Sequence, residues 1–159
     1  MHKTITWSAA ALFAAVGMAA ATAVFAQDNT AFVKERQDFM DQQQKDVNAI
    51  GAYGKGQGDQ ATALEKANDL VALAPKIIGY FDGKQNTSSA SIPTVSRAKP
   101  EIWQSFDKFK ATVPVLQAEE AKLVDAIKSG NAQATADQVA AMYKNGCGAC
   151  HTDYRAPKT

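Results

Sequence analysis

Apolar side chains recur along this chain at helical spacing. From Thr30 to about Tyr53 they fall at Phe32, Val33, Phe39, Met40, Val47, Ile50 and Tyr53, in steps of three, four and seven that trace one face of a helix. Gly51, Gly54, Gly56 and Gly58 then close it in a turn. A second helix is expected from about Gln60 to Phe81, with Leu64, Leu70, Val71, Leu73, Ile77 and Ile78 turned inward. Pro75 should kink it or mark its last turns. The stretch from Asp82 to Arg97 is mostly Gly, Ser, Thr, Asn and Pro, and reads as the longest loop. Lys99-Pro100-Glu101 opens a third helix, where proline suits the first turn and Glu101 the helix dipole. Its stripe is Ile102, Trp103, Phe106, Phe109, Val113, Leu116, Leu123, Val124 and Ile127, with a bend at Pro114. Ser129-Gly130-Asn131 ends it, and a fourth helix runs from about Ala132 to Arg155. No segment reads as a strand. The expected fold is all-α, a bundle of four helices.

The first 26 residues stand outside that pattern. His2 and Lys3 form a polar head, and Ser8 to Val24 is an uncharged, Ala-rich apolar run. Val24-Phe25-Ala26 then presents small or aliphatic side chains where a signal peptidase reads them. Residues 1–26 are expected to be a secretory signal, and 27–159 the bundle, beginning at Gln27. A membrane anchor would need a longer and more apolar run, of ~20 residues.

Removing 26 of 159 residues leaves 133, enough to bury a core. Without Lys3, the 17 Lys and Arg become 16, against 16 Asp and Glu. That balance points to neither nucleic acid nor a membrane surface as partner. The shortened chain keeps one histidine (His151), two methionines (Met40, Met142), Trp103 and both cysteines. Any soft-ligand metal chemistry must come from this short list.

Its distinctive segment is Cys147-Gly148-Ala149-Cys150-His151. Cys-x-x-Cys-His is the attachment signature of c-type haem. On a helix, residues three and four apart share a face, so two thiols can bond the two vinyl groups of one porphyrin while the imidazole meets the iron. Gly148 and Ala149 are small enough to let the backbone approach the macrocycle. A thioredoxin-like dithiol would need a βαβ setting, which is not visible. Zinc would need a fourth ligand, and a disulfide across three residues of a helix is awkward and leaves His151 unexplained. Covalent haem is the expected cofactor, one per chain.

The motif lies close to the C-terminus, on the last helix. With Arg36-Gln37-Asp38-Phe39-Met40 on the first helix, Ala98-Lys99-Pro100-Glu101-Ile102-Trp103 opening the third and Cys147 to Arg155 on the last, the chain resembles the class II cytochromes c. These comprise cytochrome c′ and the low-spin cytochrome c-556 type. The resemblance implies an antiparallel four-helix bundle with haem c bound by the C-terminal helix. Cys147 and Cys150 would carry the thioethers, and His151 would be the proximal ligand. Arg36 matches an arginine that pairs with a haem propionate, although a surface arginine beside Glu35 remains an alternative. Arg155 matches a basic residue flanking the proximal histidine, or is a solvated helix-end cation.

Met40 faces the distal side in such a bundle. If its sulfur binds iron, the haem is six-coordinate and suited to electron transfer; if it only packs, the iron is open to NO or CO. Met142, Phe39, Tyr53, Trp103, Phe106 and Tyr143 are expected to pack around the haem and core. The expected function is one-electron transfer by an exported, periplasmic protein, with gas binding as the alternative. Partners would be redox proteins; homodimers are common in the family, and the run Gln42-Gln43-Gln44-Lys45-Asp46 argues neither way. Neither nucleic acid nor, once the signal is removed, a membrane is an expected partner. No proton-transfer constellation stands out, so an enzyme is not expected.

Overall fold

A computed structural model describes residues 17–158, with side chains from Asn29 onward. Residues 1–16 of the expected signal lie outside it. Helix α1 spans Gly17–Gly54, α2 Gln60–Leu73, α3 Glu101–Gln104, α4 Phe106–Lys110, α5 Thr112–Lys128, α6 Ala132–Ala141 and α7 Gly148–Tyr154. Among the described residues there is no strand, only an isolated antiparallel bridge between Ala98 and Arg155. No helix there is long and apolar enough to cross a membrane.

These pieces assemble as four helical rods. The first is α1, which begins well before Thr30 because the Ala-rich stretch ahead of it also favours helix. The second is α2 extended by a 3-10 turn over Ala74–Tyr80, with Pro75 in its first positions. Proline cannot donate to the preceding turn, so α-helical bonding stops there, as the sequence implies. The third rod is α3, α4 and α5, broken at Ser105 and Ala111. Pro114 sits in the first turn of α5 and does not bend its middle. Its ring excludes the carbonyl four residues back, that of Lys110, and α4 ends at that residue. The fourth rod is α6, a π-helical segment over Met142–Cys147, and α7.

Rod one packs against α2 and α6, and α5 packs against the same two, closing a four-membered ring. Short turns join α1 to α2 and α5 to α6, so neighbouring rods run antiparallel. Asp59 caps α2 by accepting from the Thr62 amide at 2.8 Å, and Asn131 caps α6 by accepting from Ala134 at 3.0 Å. Gly130, at φ 71°, makes the left-handed turn between α5 and α6 that a side chain would resist. Inside the ring, Ile50, Leu70, Ile102, Leu123, Ile127 and Met142 are fully buried.

The C-terminal end is fastened to the start of the third rod. Lys99 donates its amide to the Tyr154 carbonyl at 3.0 Å, and Ala156 donates to the Arg97 carbonyl at 2.8 Å. Arg97 Nε returns a bond to the Ala156 carbonyl at 2.8 Å. A seven-residue helix would fray by itself; these bonds hold α7 in place.

Candidate functional site

Between the rods lies a cavity of about 530 Å³, within the range of cofactor pockets. Rod one contributes Val33, Arg36, Met40 and Val47 to its wall; Leu70, Ile77, Phe81, Ile102, Phe109 and Leu116 add further apolar lining. The fourth rod contributes Met142, Tyr143, Gly146, Cys147, Cys150 and His151, and Arg97, Arg155 and Lys158 stand at its edge. All five residues singled out in the sequence (Arg36, Met40, Cys147, Cys150 and His151) therefore converge on one space.

The π-helical segment sets how they do so. Cys147 ends that segment, and Cys150 and His151 lie on α7. Wider turns of this kind recur at functional sites. The small residue that makes room is Gly146: a Cβ there would meet Leu116 Cδ1 at 3.0 Å. Gly148 and Ala149 are not among the residues that line the cavity, and the tight approach at Gly146 is to α5.

Both cysteines are free thiols, partly buried. Burial pushes both upward in pKa, aided at Cys147 by the nearby Glu120 carboxylate. They stay protonated at neutral pH, unlike the electropositive setting of a redox dithiol. His151 moves the other way: burial, then Arg155 and Arg97, lower it to about 4. Its imidazole is neutral, the form that ligates metal. No three His, Cys, Asp or Glu side chains among the described residues form a metal cluster.

Arg36 is no surface residue. It is 5% exposed, and its guanidinium lies 4.8 Å from the Phe81 ring centroid. Nη1 donates to Thr87 Oγ1 at 3.0 Å; Nη2 donates to the Thr87 carbonyl and Ser96 Oγ, both at 3.1 Å. Burial lowers its pKa to about 10, which leaves it charged. Among the described residues no carboxylate forms an ion pair with it. An unpaired buried cation in a cavity wall suits an anionic group on the occupant. The same bonds pin the loop after α2. Arg36→Leu should reduce unfolding free energy in urea by about 3 kcal/mol; a loss below ~0.5 kcal/mol would show that the loop is held by other contacts.

Met40 is partly buried, and its sulfur accepts from Gln43 Nε2 at 3.5 Å. Of the expected aromatic packing, Phe39 and Tyr53 are buried. Trp103, which donates to the Phe81 carbonyl at 2.8 Å, and Phe106 pack against the core away from the cavity. Tyr143 departs from expectation. It is 41% exposed at the cavity mouth, where Gln44 donates to its hydroxyl. Sequence reasoning missed Glu120, which is 2% exposed and lines the cavity. The signal was present: Val113, Leu116, Glu120, Leu123 and Ile127 follow steps of three and four, which places an acid on the buried stripe.

The donor set fits a porphyrin. Two thiols and a neutral imidazole come from one rod, a thioether and an unpaired cation from the facing one, and an apolar lining separates them. A helical bundle with this cavity is a haem-binding bundle of the c type. Residues 31–155 match the family model described as Cytochrome C', and the chain belongs to that family, whose cofactor is covalently bound haem c. Cytochrome c-556 of Agrobacterium tumefaciens (strain II Chrys) is 32% identical over 130 residues, covering 79% of this chain and 98% of its own. The cytochrome c-556 of Agrobacterium fabrum is 32% identical over 160 residues, covering 98% and 97%. A solved cytochrome c′ from Rhodobacter superposes with a TM-score of 0.71 at 26% identity over 82% of this chain and 98% of that one. That from Thermochromatium tepidum gives 0.66 at 24%, over 81% and 97%, which speaks to the fold.

Proposed function

We propose that this chain is an exported one-electron carrier. Cys147 and Cys150 hold the haem by thioethers, His151 is the proximal ligand and Met40 the distal one. The observation that carries this reading is the convergence of Met40 and the Cys147-Cys150-His151 set on a single cavity. When bound, the haem iron supplies a one-electron ferric/ferrous couple, and a thioether ligand favours the ferrous side. The protein's own work is orientation and exclusion. Cys147 from the π-helical segment and Cys150 from α7 would hold the macrocycle, and the Arg97–Ala156 and Lys99–Tyr154 bonds keep α7, with His151, in place. Apolar side chains keep water from the iron, and Arg36 offers its charge to a propionate. The c-556 name of the curated relatives supports the low-spin form. Periplasmic export rests on the apolar segment ending at Ala26. Its partners are then donor and acceptor proteins.

A second reading, gas binding, has one observation in its favour. Met40 already packs against the core, with its sulfur engaged by Gln43. One cytochrome c′, from Alcaligenes xylosoxidans, was solved as a ferrous variant with NO bound; its 24% identity speaks to fold alone. Visible spectra of the holoprotein, ferric and ferrous, with and without CO, decide between the two. Sharp, split ferrous bands and indifference to CO are expected. A broad ferrous spectrum that shifts with CO would make gas binding the function.

A further inference from the structure

The mechanism leaves one buried group without a task. Glu120 lies on the cavity side of α5, 2% exposed. Its Oε2 is sealed from solvent with no hydrogen-bond partner among the described residues. Its neighbour Glu119 is the contrast: it is paired with Lys122 at 2.7 Å and with Gln138 at 2.8 Å. A carboxyl oxygen deprived of both water and partners disfavours the charged form, and burial lifts Glu120 to about 8. Its protonation is therefore poised near neutrality, where a single change of charge nearby can decide it.

The electrostatic surroundings are uneven. Cys147, from the π-helical segment, is the thiol that feels Glu120, and a thioether there would be neutral. The groups felt by His151 are Arg155 and Arg97, not Glu120. From α1 the ionisable lining residues are Arg36 and Asp41; Tyr143 comes from the π-helical segment, Cys150 and Tyr154 from α7, and Lys158 from the tail. Toward the same space α2, the 3-10 turn and α4 present only Leu70, Ile77 and Phe109, and α6 presents nothing. Glu120 is thus the one fully buried acid facing the cavity among the described residues.

We propose that Glu120 is a redox-linked proton site: its carboxylate takes up one proton from solvent when an electron enters the cavity and releases it when the electron leaves. One electron from the donor protein and one proton from water arrive together, so the charge of the enclosed space is unchanged; no bond other than O–H forms or breaks. With iron ferric, the extra positive charge favours the carboxylate. With iron ferrous, that support is gone and the neutral acid is preferred. This rests on the electron-carrier reading above.

The test is the midpoint potential of the holoprotein followed against pH by spectroelectrochemistry. The expected result is a fall with rising pH through the neutral range, approaching ~59 mV per pH unit, the slope for one proton per electron. In E120Q, which keeps the shape but cannot ionise, the slope should vanish. A reduced-minus-oxidised infrared spectrum of the wild type should show a protonated carboxyl band appearing on reduction, displaced by deuterium exchange. Should E120Q fail to retain haem, E120D should move both the band and the midpoint of the pH dependence. A slope that survives E120Q, or a wild type with no carboxyl band, overturns the proposal. Absence of any reversible couple would instead sink the electron-carrier reading itself.

Discussion

Replacing Cys147 and Cys150 together by alanine should give a chain that retains no haem after acid-acetone extraction and shows no cooperative thermal transition. The argument is volumetric. A void of about 530 Å³, at roughly 24 cal/mol per Å³ where the walls do not collapse, costs up to ~13 kcal/mol. The cavity opens to solvent at its mouth, so that figure is an upper bound. Domain stability is only ~5–15 kcal/mol. The walls include Val33, Val47, Leu70, Ile102, Phe109, Leu116 and Met142, contributed by all four rods, so losing the occupant weakens every helix–helix seam at once. Circular dichroism melts of wild type and double variant compare them directly. A cooperative melt of the double variant at the wild-type temperature would show that the bundle closes unaided.

Met40→Leu should convert a haem indifferent to CO into one that binds it stoichiometrically, with broadened ferrous bands and a lower midpoint potential. Leucine conserves volume, at a cost under ~1.5 kcal/mol, so the fold survives and the change is confined to the sixth position. Loss of the thioether removes the ligand that favours ferrous iron. Met40 also sits one turn after Arg36 on α1, so the haem spectrum should change while the Arg36 bonds to Thr87 and Ser96 remain. An unchanged spectrum in M40L would assign Met40 to packing.

The sequence carried most of this site because its chemistry depends on few and rare residues. A single histidine after Cys-x-x-Cys needs no tertiary contact to be noticed, and Met40 and Arg36 lie one turn apart on a helix whose period is plain. Helix ends were less legible. Pro114 was visible, but a proline acts on the carbonyl four residues earlier, so its effect appears at Lys110. The break at Ser105, with φ −137° and ψ 54°, has no marker in the residues around it. The burial of Arg36 was hidden because its acceptors, Thr87 and Ser96, are 51 and 60 residues away. Glu120 was hidden differently: hydrophobic scanning skips an acid even when its position completes the pattern.

The π-helical segment has a consequence for how the motif meets its cavity. Each α-helical residue advances the azimuth by about 100°, and each π turn takes in one residue more than an α turn. The six residues from Met142 to Cys147 therefore act as a phase shifter between α6 and α7. Had the rod continued as a straight α-helix from Ala132, the two thiols and the imidazole would have emerged at another bearing, toward solvent or a neighbouring rod. The cofactor's aim is thus encoded as an angular offset, stored in a stretch that contains only one residue of the motif itself.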